Sequence, residues 1–272
     1  DGKVVVSMPG VPFEMKRAMT YEILPRLSKK FQPSNVIHKT VQVYGTGESA
    51  LAIQIADWEN SLPEYLHLAY LPNFGIVKLR LSGTGDDALQ LEFEMNQQIH
   101  SLLQILGNSI FAFEDKPLEA VLLDKLKKKN LTFSTAESCT GGNIAHRITL
   151  IPGASEIFKG SVVSYSNDVK KNILKVSEDD LKEFGAVSQQ VVEQMALGCN
   201  KMLQTDVCVS VSGIAGPTGG TDDKPIGTVW IAVANGKYVT SKQFNFGNYS
   251  RENFIERTTM TALMMVLESM EN

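Results

Sequence analysis

The feature that most constrains the fold of this chain is a nearly continuous apolar stretch at 206–214, DVCVSVSGI. A near-continuous stretch of this kind is typical of a strand that is buried on both faces, with helices covering each side of the sheet. Helical periodicity precedes the run at 188–204 and returns at 251–270, where Met and Leu form one stripe. We therefore predict a three-layer α/β domain over residues 113–272.

The segment before this domain has a different pattern. Between residues 31 and 112 the predicted order is strand, helix, strand, strand and a long amphipathic helix. This βαββα order is typical of a small two-layer α+β domain, in which both helices cover one face of the sheet.

Residues 1–30 fit neither domain. Lys3–Met8 alternates in polarity and predicts a strand, while Phe13–Leu24 has helical periodicity that we expect to end at Pro25. One strand and one helix cannot bury a core on their own. We interpret residues 1–30 as the tail of a further domain, and the chain, which does not begin with Met, as a fragment of a longer protein.

Composition argues against several classes of function. A net charge of −4 is unlike that of a general nucleic-acid binder, so no direct contact with nucleic acid is expected. No apolar run approaches the ~20 residues that cross a bilayer, so no membrane contact is expected either. The cysteines number three and the histidines four, without metal-ligand spacing, so we predict no metal site. Unpaired cysteines also favour a reducing, cytoplasmic location.

The first candidate site is the turn AESCTGG, which follows a predicted strand and precedes a helix. Ser138 is the candidate nucleophile, and Thr140, Gly141 and Gly142 are small enough for backbone N–H groups to converge on a ligand. A serine hydroxyl is a weak nucleophile that needs a base. Without a base, the same turn is better interpreted as a helix cap with glycines for close packing.

Cys139 is an alternative nucleophile in the same turn. No histidine pairs with it by a recognisable pattern, although His146 lies one helix further along the chain. A buried and inert thiol is therefore the favoured interpretation of Cys139.

The second candidate motif, SYSNDVKK, supplies a base for the serine. It places Tyr165 at a strand end, Ser166 or Asn167 as a helix cap, and Lys170 in the first helical turn. A cation at a helix N-terminus is disfavoured, and burial would act in the same direction, so Lys170 should lose its proton more easily than a free lysine. A neutral lysine is a competent base for Ser138, with Tyr165 relaying a proton or holding the lysine. The alternative is a solvated lysine beside a tyrosine at the edge of the core.

A third motif is the glycine-rich loop SGIAGPTGG, which follows the apolar run. Its first part, Gly213, Ala215 and Gly216, leaves the sheet from the same kind of edge as Ser138, so we predict that backbone amides of this loop bind substrate. A flexible surface loop is the alternative. The loop is not a P-loop, because no Gly-Lys-Ser/Thr sequence follows.

Taken together, five stretches of the sequence resemble the CinA C-terminal family of nicotinamide mononucleotide amidohydrolases. The stretches, which occur in the order of that family, are TFSTAESCTGG, GSVVSYSNDVKKNIL, FGAVSQQVVEQMA, VSVSGIAGPTGGTDDKPIGTVWIAVA and the closing helix. The resemblance covers nearly all of residues 113–272. It implies a fold with an amidohydrolase domain and the conversion of nicotinamide mononucleotide into nicotinate mononucleotide and ammonia, a step in pyridine nucleotide recycling.

The resemblance also assigns roles to residues. It matches Ser138, Tyr165 and Lys170 to the catalytic serine, tyrosine and lysine, and Ser155 in PGAS to a serine near the substrate. In this scheme the amide carbon is attacked by Ser138, and Lys170, assisted by Tyr165, takes the proton. Backbone amides of Thr140–Gly142 or of Gly213–Gly216 would stabilise the oxyanion. The scheme requires no metal and no cofactor.

The front of the chain resembles other parts of full-length CinA proteins. MPGVPFEMKRAM is similar to the last segment of a molybdopterin-binding-like domain, and GTGESALAIQIADW is similar to the small middle domain. Full-length members can carry a metal-dependent ADP-ribose pyrophosphatase activity in the front domain, and we expect none from the residues present here. The resemblance further implies a homodimer, with the apolar last helix as either core or dimer surface.

Two other functions remain open at this point. The chain could be a non-catalytic nucleotide-binding or interaction module with an unused site, in which case Lys170 should be exposed and have an ordinary pKa. It could also be an accessory to DNA uptake, through the family's association with competence, although its acidic balance gives no support for direct DNA contact.

Overall fold

A computed structural model of the chain describes residues 3–31, 35–73 and 75–270. Its first part contains helix α1 (Pro12–Ala18), a π-helical turn (Met19–Ile23) and helix α2 (Leu24–Phe31), which follow one another without a break. None of their residues is buried.

Two predictions for this first part are wrong. Lys3–Met8 forms no strand in the structure, because a strand requires a neighbour to pair with and no described segment pairs with it. The helix also continues past Pro25. The preceding π-helical turn explains this: the Leu24 N–H bonds to the Met19 carbonyl instead of following α-helical spacing, which changes the position of the carbonyls that a proline ring would otherwise meet.

The small domain has the predicted βαββα order and one additional short strand. Its elements are β1 (Asn35–Tyr44), α3 (Glu48–Asn60), β2 (Leu66–Asn73), β3 (Ile76–Gly85), α4 (Ala88–Leu106) and β4 (Ile110–Ala112). The antiparallel sheet has the order β2-β3-β1-β4. Both helices bury their apolar faces in one core with the sheet, so the domain has two layers. Strand β4 has only three residues, which is too short to produce an alternating pattern in the sequence.

The large domain alternates strands and helices as predicted. In chain order it contains α5 (Leu118–Lys128), β5 (Phe133–Glu137), α6 (Asn143–Thr149), a 3₁₀ turn (Ala154–Glu156), β6 (Phe158–Val163), α7 (Asn167–Asn172), α8 (Glu178–Glu183), α9 (Gln189–Leu203), β7 (Val207–Gly213), β8 (Thr228–Asn235), β9 (Tyr238–Asn245) and α10 (Arg251–Ser269). The sheet order is β6-β5-β7-β8-β9. Strands β6, β5 and β7 are parallel, whereas β8 and β9 are antiparallel to their neighbours.

The central strand β7 explains why the domain has three layers. Its valines at 207, 209 and 211 belong to the core formed with α5, α6 and α10. Cys208 points the opposite way and belongs to the core formed with α9. Because both faces of β7 are covered, its sequence is apolar at nearly every position, and the predicted three-layer α/β fold is confirmed.

Helix α10 is part of the core of the chain. Met260, Met264 and Met265 are 4%, 4% and 8% exposed and pack among the residues of α5, α6 and β7. Of the two interpretations of this apolar stripe, core is therefore correct. Within the described ranges, no helix combines the length and the apolar character that a membrane span requires.

The parallel strands determine where a site can form. Register pairs Glu137 with Val163 on one side and with Val211 on the other, so β5, β6 and β7 end at one edge of the sheet. The residues that follow these three strands therefore meet at this edge, where ligands of open α/β sheets usually bind.

Candidate active site

A serine and a lysine contact each other at this edge. Ser138 follows β5, and its backbone N–H donates to the Val211 carbonyl at 3.1 Å, which holds the serine beside the end of β7. The Lys170 Nζ lies 3.0 Å from Ser138 Oγ and donates to the Ser164 carbonyl at 2.6 Å. The structure thus brings together the two residues on which the sequence analysis depends, although 32 positions separate them in the chain.

The local sequence explains the position of Lys170. Ser166 caps α7, because its Oγ accepts a hydrogen bond from the Val169 N–H at 3.3 Å. Lys170 lies one residue further along α7 and is 1% exposed. Burial penalises the charged amine and lowers the pKa of Lys170 below its ordinary value of 10.5. The site therefore contains a buried amine that is easier to deprotonate than a free lysine.

Cys139 has the opposite properties. Its side chain is 6% exposed, and burial raises the pKa of the thiol to about 12. A thiol with such a pKa stays protonated near neutral pH and is a poor nucleophile. The structure therefore agrees with the interpretation of Cys139 as an inert buried thiol.

Tyr165 lies at the rim of the site and contacts a residue that sequence reasoning missed. Its ring is 64% exposed, and its hydroxyl accepts a hydrogen bond from Arg251 Nη2 at 2.9 Å. Arg251 Nη1 also donates to the Gly216 carbonyl at 2.9 Å. Within the described part of the chain, Tyr165 makes no hydrogen bond to Ser138 or Lys170, so the contact expected of a proton relay is not present.

The sequence contains a signal for Arg251 that could have been used. Arg251 is the first residue of α10, directly after the capping residue Ser250. A cation at a helix N-terminus is unfavourable unless another interaction compensates for it. Here the compensation comes from the Tyr165 hydroxyl and the Gly216 carbonyl, and both belong to segments already predicted to form the site.

The glycine-rich loop reaches the same edge. Gly213 ends β7, and Ala215 is buried. Gly216 has a φ of +74°, and an added Cβ would lie 2.8 Å from the Ile226 side chain, so only glycine fits there without strain. The loop therefore has a defined shape at the site, whereas a flexible surface loop was the alternative.

Ser155 does not join this group of residues within the folded chain, and its place near the substrate stays a prediction from the resemblance. It lies in the 3₁₀ turn before β6, whereas Ser138 follows β5. Because β5 and β6 are parallel and pair from Phe133–Phe158 onward, the start of β6 lies at the opposite edge of the sheet. The length of β5 separates the two edges, about 15 Å.

Sequence reasoning also missed Glu137, the last residue of β5. Its side chain is fully buried and accepts hydrogen bonds from the Thr140 hydroxyl at 2.7 Å and from the backbone N–H groups of Gly142, Ile144 and Ala145 at 2.9–3.1 Å. A carboxylate that ends a strand is usually solvated, so the sequence pattern gave no reason to single it out. In the described ranges, no three His, Cys, Asp or Glu side chains lie close enough together to hold a metal ion.

Comparisons with known proteins match both domains. The family model described as the CinA C-terminal domain matches residues 115–270, and that of the damage-inducible protein CinA KH domain matches residues 38–112. A CinA-like protein from Cytophaga hutchinsonii is 44% identical over 98% of this chain and 63% of its own length. Another from Flavobacterium psychrophilum is 45% identical over 98% of this chain and 64% of its own length. The chain thus spans less than two thirds of the length of these relatives.

Solved structures resemble the chain over about half its length. The competence/damage inducible protein CihA from Agrobacterium tumefaciens is 38% identical, with a TM-score of 0.55 over 56% of this chain and 92% of its own. Ser138, Tyr165 and Lys170 all lie within residues 115–270, the segment that the C-terminal family model matches. Since two CinA family models match successive segments and the relatives are aligned over nearly the whole chain, the protein belongs to the CinA family.

Proposed function

We propose that this site hydrolyses the carboxamide of nicotinamide mononucleotide to nicotinate mononucleotide and ammonia. The observation that carries the proposal is the 3.0 Å contact between Lys170 Nζ and Ser138 Oγ, made by an amine whose pKa burial lowers. A serine becomes a nucleophile when a base can take its proton, and a neutral lysine is such a base. The choice of substrate comes from the resemblance of the motifs to the amidohydrolase members of the family.

The reaction uses Ser138 and Lys170 in two steps. Neutral Lys170 accepts the hydroxyl proton as Ser138 Oγ attacks the amide carbon, and the carbonyl oxygen becomes an oxyanion. When the C–N bond breaks, the same proton passes from Lys170 to the leaving nitrogen and ammonia departs. Water then attacks the ester as Lys170 takes one of its protons. The bond between the acyl carbon and Ser138 Oγ breaks, Lys170 returns the proton to this oxygen, and nicotinate mononucleotide leaves.

Arg251 is suited to the phosphate of the substrate. Its guanidinium lies at the rim of the site, where Tyr165 and the Gly216 carbonyl hold one edge of it. An arginine presents up to five N–H donors in a planar fork, so donors remain for a phosphate oxygen. In this proposal Tyr165 orients Arg251 and does not act as the base.

The non-catalytic alternative agrees less well with the site. It predicts an exposed lysine with an ordinary pKa, whereas Lys170 is buried, its pKa is lowered, and its amine contacts a serine. Burying an amine is costly, and such cost is common where a perturbed pKa serves chemistry.

We further propose that the protein is cytoplasmic and forms a homodimer. All three cysteines are unpaired and buried, which agrees with a reducing cytoplasm. A homodimer is proposed from the family resemblance alone, because the last helix packs inside the chain.

Incubation of the purified chain with nicotinamide mononucleotide tests the function directly. We expect ammonia and nicotinate mononucleotide to appear in equal amounts, measured by a coupled ammonia assay and by chromatography. Nicotinamide riboside, which lacks the phosphate, should be hydrolysed with a much higher KM because it cannot pair with Arg251. Folded protein that releases no ammonia from nicotinamide mononucleotide would overturn the proposal.

Replacement of Cys139 by alanine separates a serine enzyme from a thiol enzyme. We expect Cys139→Ala to keep most of the ammonia release, because a thiol with a pKa of about 12 is protonated and takes no part in the reaction. The assay is the steady-state rate at saturating nicotinamide mononucleotide, with circular dichroism as the folding control. Complete loss of activity in the folded variant would instead indicate that the thiol is the nucleophile.

A further inference from the structure

The carboxylate of Glu137 is fully buried and surrounded by hydrogen-bond donors. Oε2 accepts from the Thr140 hydroxyl and from the N–H groups of Gly142 and Ile144 at 2.7, 3.0 and 3.1 Å. Oε1 accepts from the Ala145 N–H at 2.9 Å and, at longer range, from the hydroxyls of Thr135 and Ser161 at 3.2 and 3.4 Å. An ionised carboxylate can accept all six of these bonds, since it has about four lone-pair sites and longer bonds can share them.

These hydrogen bonds from Glu137 fix the conformation of the turn that carries Ser138. Three of the donors are backbone N–H groups at the N-terminus of α6, where the positive end of the helix dipole lies. Glu137 therefore occupies the groups that would otherwise attract an anionic substrate. The Thr140 hydroxyl ties the middle of the turn to the same carboxylate.

The other backbone N–H groups of the turn can be assigned one by one. Ser138 donates to Val211, Gly141 donates to Ser138 at 3.2 Å, and Asn143 donates to Thr140 at 3.1 Å. The N–H groups of Cys139 and Thr140 remain. That of Thr140 has no hydrogen-bond partner among the residues that the structure describes, and that of Cys139 contacts only the thiol of its own residue. This corrects the expectation that the amides of Gly141 and Gly142 stabilise the oxyanion, because both are already bonded.

Two N–H groups in buried residues have no acceptor in any other described residue, and this requires an explanation. Cys139 and Thr140 are 6% and 3% exposed, and buried backbone N–H groups are almost always bonded. Both groups directly follow Ser138. The N–H after a nucleophilic serine is a common donor to the oxyanion of acyl transfer, because it lies close to the carbon under attack.

We propose that Glu137 is a positioning residue that holds the N–H groups of Cys139 and Thr140 free and directed toward the oxyanion formed at Ser138. The inference rests on the proposed role of Ser138 as nucleophile, but not on the identity of the substrate. Glu137 itself contacts neither substrate nor the reacting atoms; it acts through the shape of the turn.

The chemistry of the donors requires a carboxylate at this position. Glutamine has the same shape but only one acceptor oxygen, and its amide NH₂ would face either the three donors of Oε2 or those of Oε1. Hydroxyl donors can turn to accept from this NH₂, but backbone N–H groups cannot, so Glu137→Gln places the amide against the N–H of Ala145 or against those of Gly142 and Ile144. We expect the turn to relax and the N–H groups of Cys139 and Thr140 to lose their alignment.

Labelling of the nucleophile by a fluorophosphonate measures this alignment without the natural substrate. The reagent forms a bond from Ser138 Oγ to phosphorus with loss of fluoride, and the phosphoryl oxygen occupies the position of the oxyanion. We expect Glu137→Gln to lower the labelling rate constant by about 10²-fold, the effect of losing one oxyanion donor. With nicotinamide mononucleotide, kcat should fall by a similar factor while KM stays nearly constant.

Glu119→Gln is the matched control. Glu119 is 3% exposed and pairs at 2.6 Å with Arg147 in the last turn of α6. It is thus another buried carboxylate that contacts α6, but it makes no hydrogen bond to residues 138–142 in the described part of the chain. Both variants should melt at lower temperature than the wild type, but only Glu137→Gln should label more slowly when assayed well below its melting temperature. If the two variants lose labelling rate in proportion to lost stability, Glu137 is merely structural and the inference is wrong.

A second pair of variants covers the case in which Glu137→Gln does not fold. Thr140→Val and Ser161→Ala each remove one hydroxyl donor to Glu137, but only Thr140 belongs to the turn. We expect several-fold slower labelling for Thr140→Val and an unchanged rate for Ser161→Ala. Equal rates in the two variants would overturn the inference.

The outcomes also separate this inference from the proposed function. Slower labelling of Glu137→Gln in a protein that leaves nicotinamide mononucleotide untouched would support the positioning role and reject only the substrate. A wild-type protein whose Ser138 is not labelled at all would reject both.

Discussion

Ser138→Ala should reduce ammonia release from nicotinamide mononucleotide by about 10⁴-fold or more, because loss of a nucleophile removes the covalent route. Substrate binding should survive. The change deletes one oxygen, and Lys170 Nζ keeps its hydrogen bond to the Ser164 carbonyl. The measurements are steady-state kinetics and isothermal titration with the substrate, so that catalysis and binding are followed separately.

The comparison with Cys139→Ala makes the result specific to the hydroxyl. The two residues are adjacent, and alanine removes a single Sγ or Oγ atom in each. A variant at 138 that keeps a tenth of the wild-type rate would contradict the proposed mechanism. Loss of binding together with rate would indicate a collapsed site, and circular dichroism then decides between collapse and chemistry.

Lys170→Met should reduce kcat by about 10³-fold, within the range of general-base catalysis. Methionine fills a similar volume with an unbranched chain, so the core around α7 is retained, but it cannot accept the Ser138 proton. Tyr165→Phe provides the comparison. Since the Tyr165 hydroxyl contacts Arg251 and not Lys170, this change should raise KM more than it lowers kcat. A larger loss of kcat from Tyr165→Phe than from Lys170→Met would reverse the assignment of the base.

The pH dependence follows from the same amine. Only neutral Lys170 can take a proton, so kcat/KM should rise with pH and level off above the pKa of this group. Burial lowers that pKa, so the rise should lie below 10.5, the ordinary lysine value. The residual kcat/KM of Lys170→Met should not show this rise with pH. A rise of kcat/KM with the same midpoint pH in the variant would show that another group controls the pH dependence.

Stability supplies a readout that needs no substrate. Lys170 has a lower pKa in the folded chain than in the unfolded chain, so between these two pKa values the unfolded chain binds more protons. The free energy of unfolding of the wild type should therefore rise with pH through this window, up to about 10.5. In urea titrations the wild type should gain stability relative to Lys170→Met as the pH rises through the window. A difference that is independent of pH would mean that Lys170 titrates normally.

The sequence predicted much of this arrangement because its strongest signals are local or follow general rules. The apolar run at 206–214 requires cover on both faces, and the structure confirms this for β7. The meeting of Ser138 and Lys170 follows a rule for parallel strands, whose carboxyl ends share one edge. Each motif could be placed at this edge of the sheet from its position relative to a predicted strand end alone.

The errors occur where position along the chain says little about a neighbour in space. Lys3–Met8 has the alternation of a strand but no partner in the structure. Ser155 lies close to β6 in sequence, but at the start of this strand and hence at the edge of the sheet opposite Ser138. The motif places Tyr165 beside Lys170, whereas its side chain points to an arginine 86 positions away.

The sequence by itself determined the layers of the large domain and the pairing of a hydroxyl with an amine, because hydrophobic periodicity and strand direction are properties of the chain. Only the tertiary structure decided how Glu137 and Arg251 are used. In the sequence, a glutamate at a strand end looks like a solvated charge, and an arginine at a helix start indicates only that some acceptor compensates for it. Their roles depend on which donors and acceptors surround them, and those come from segments that folding brings together.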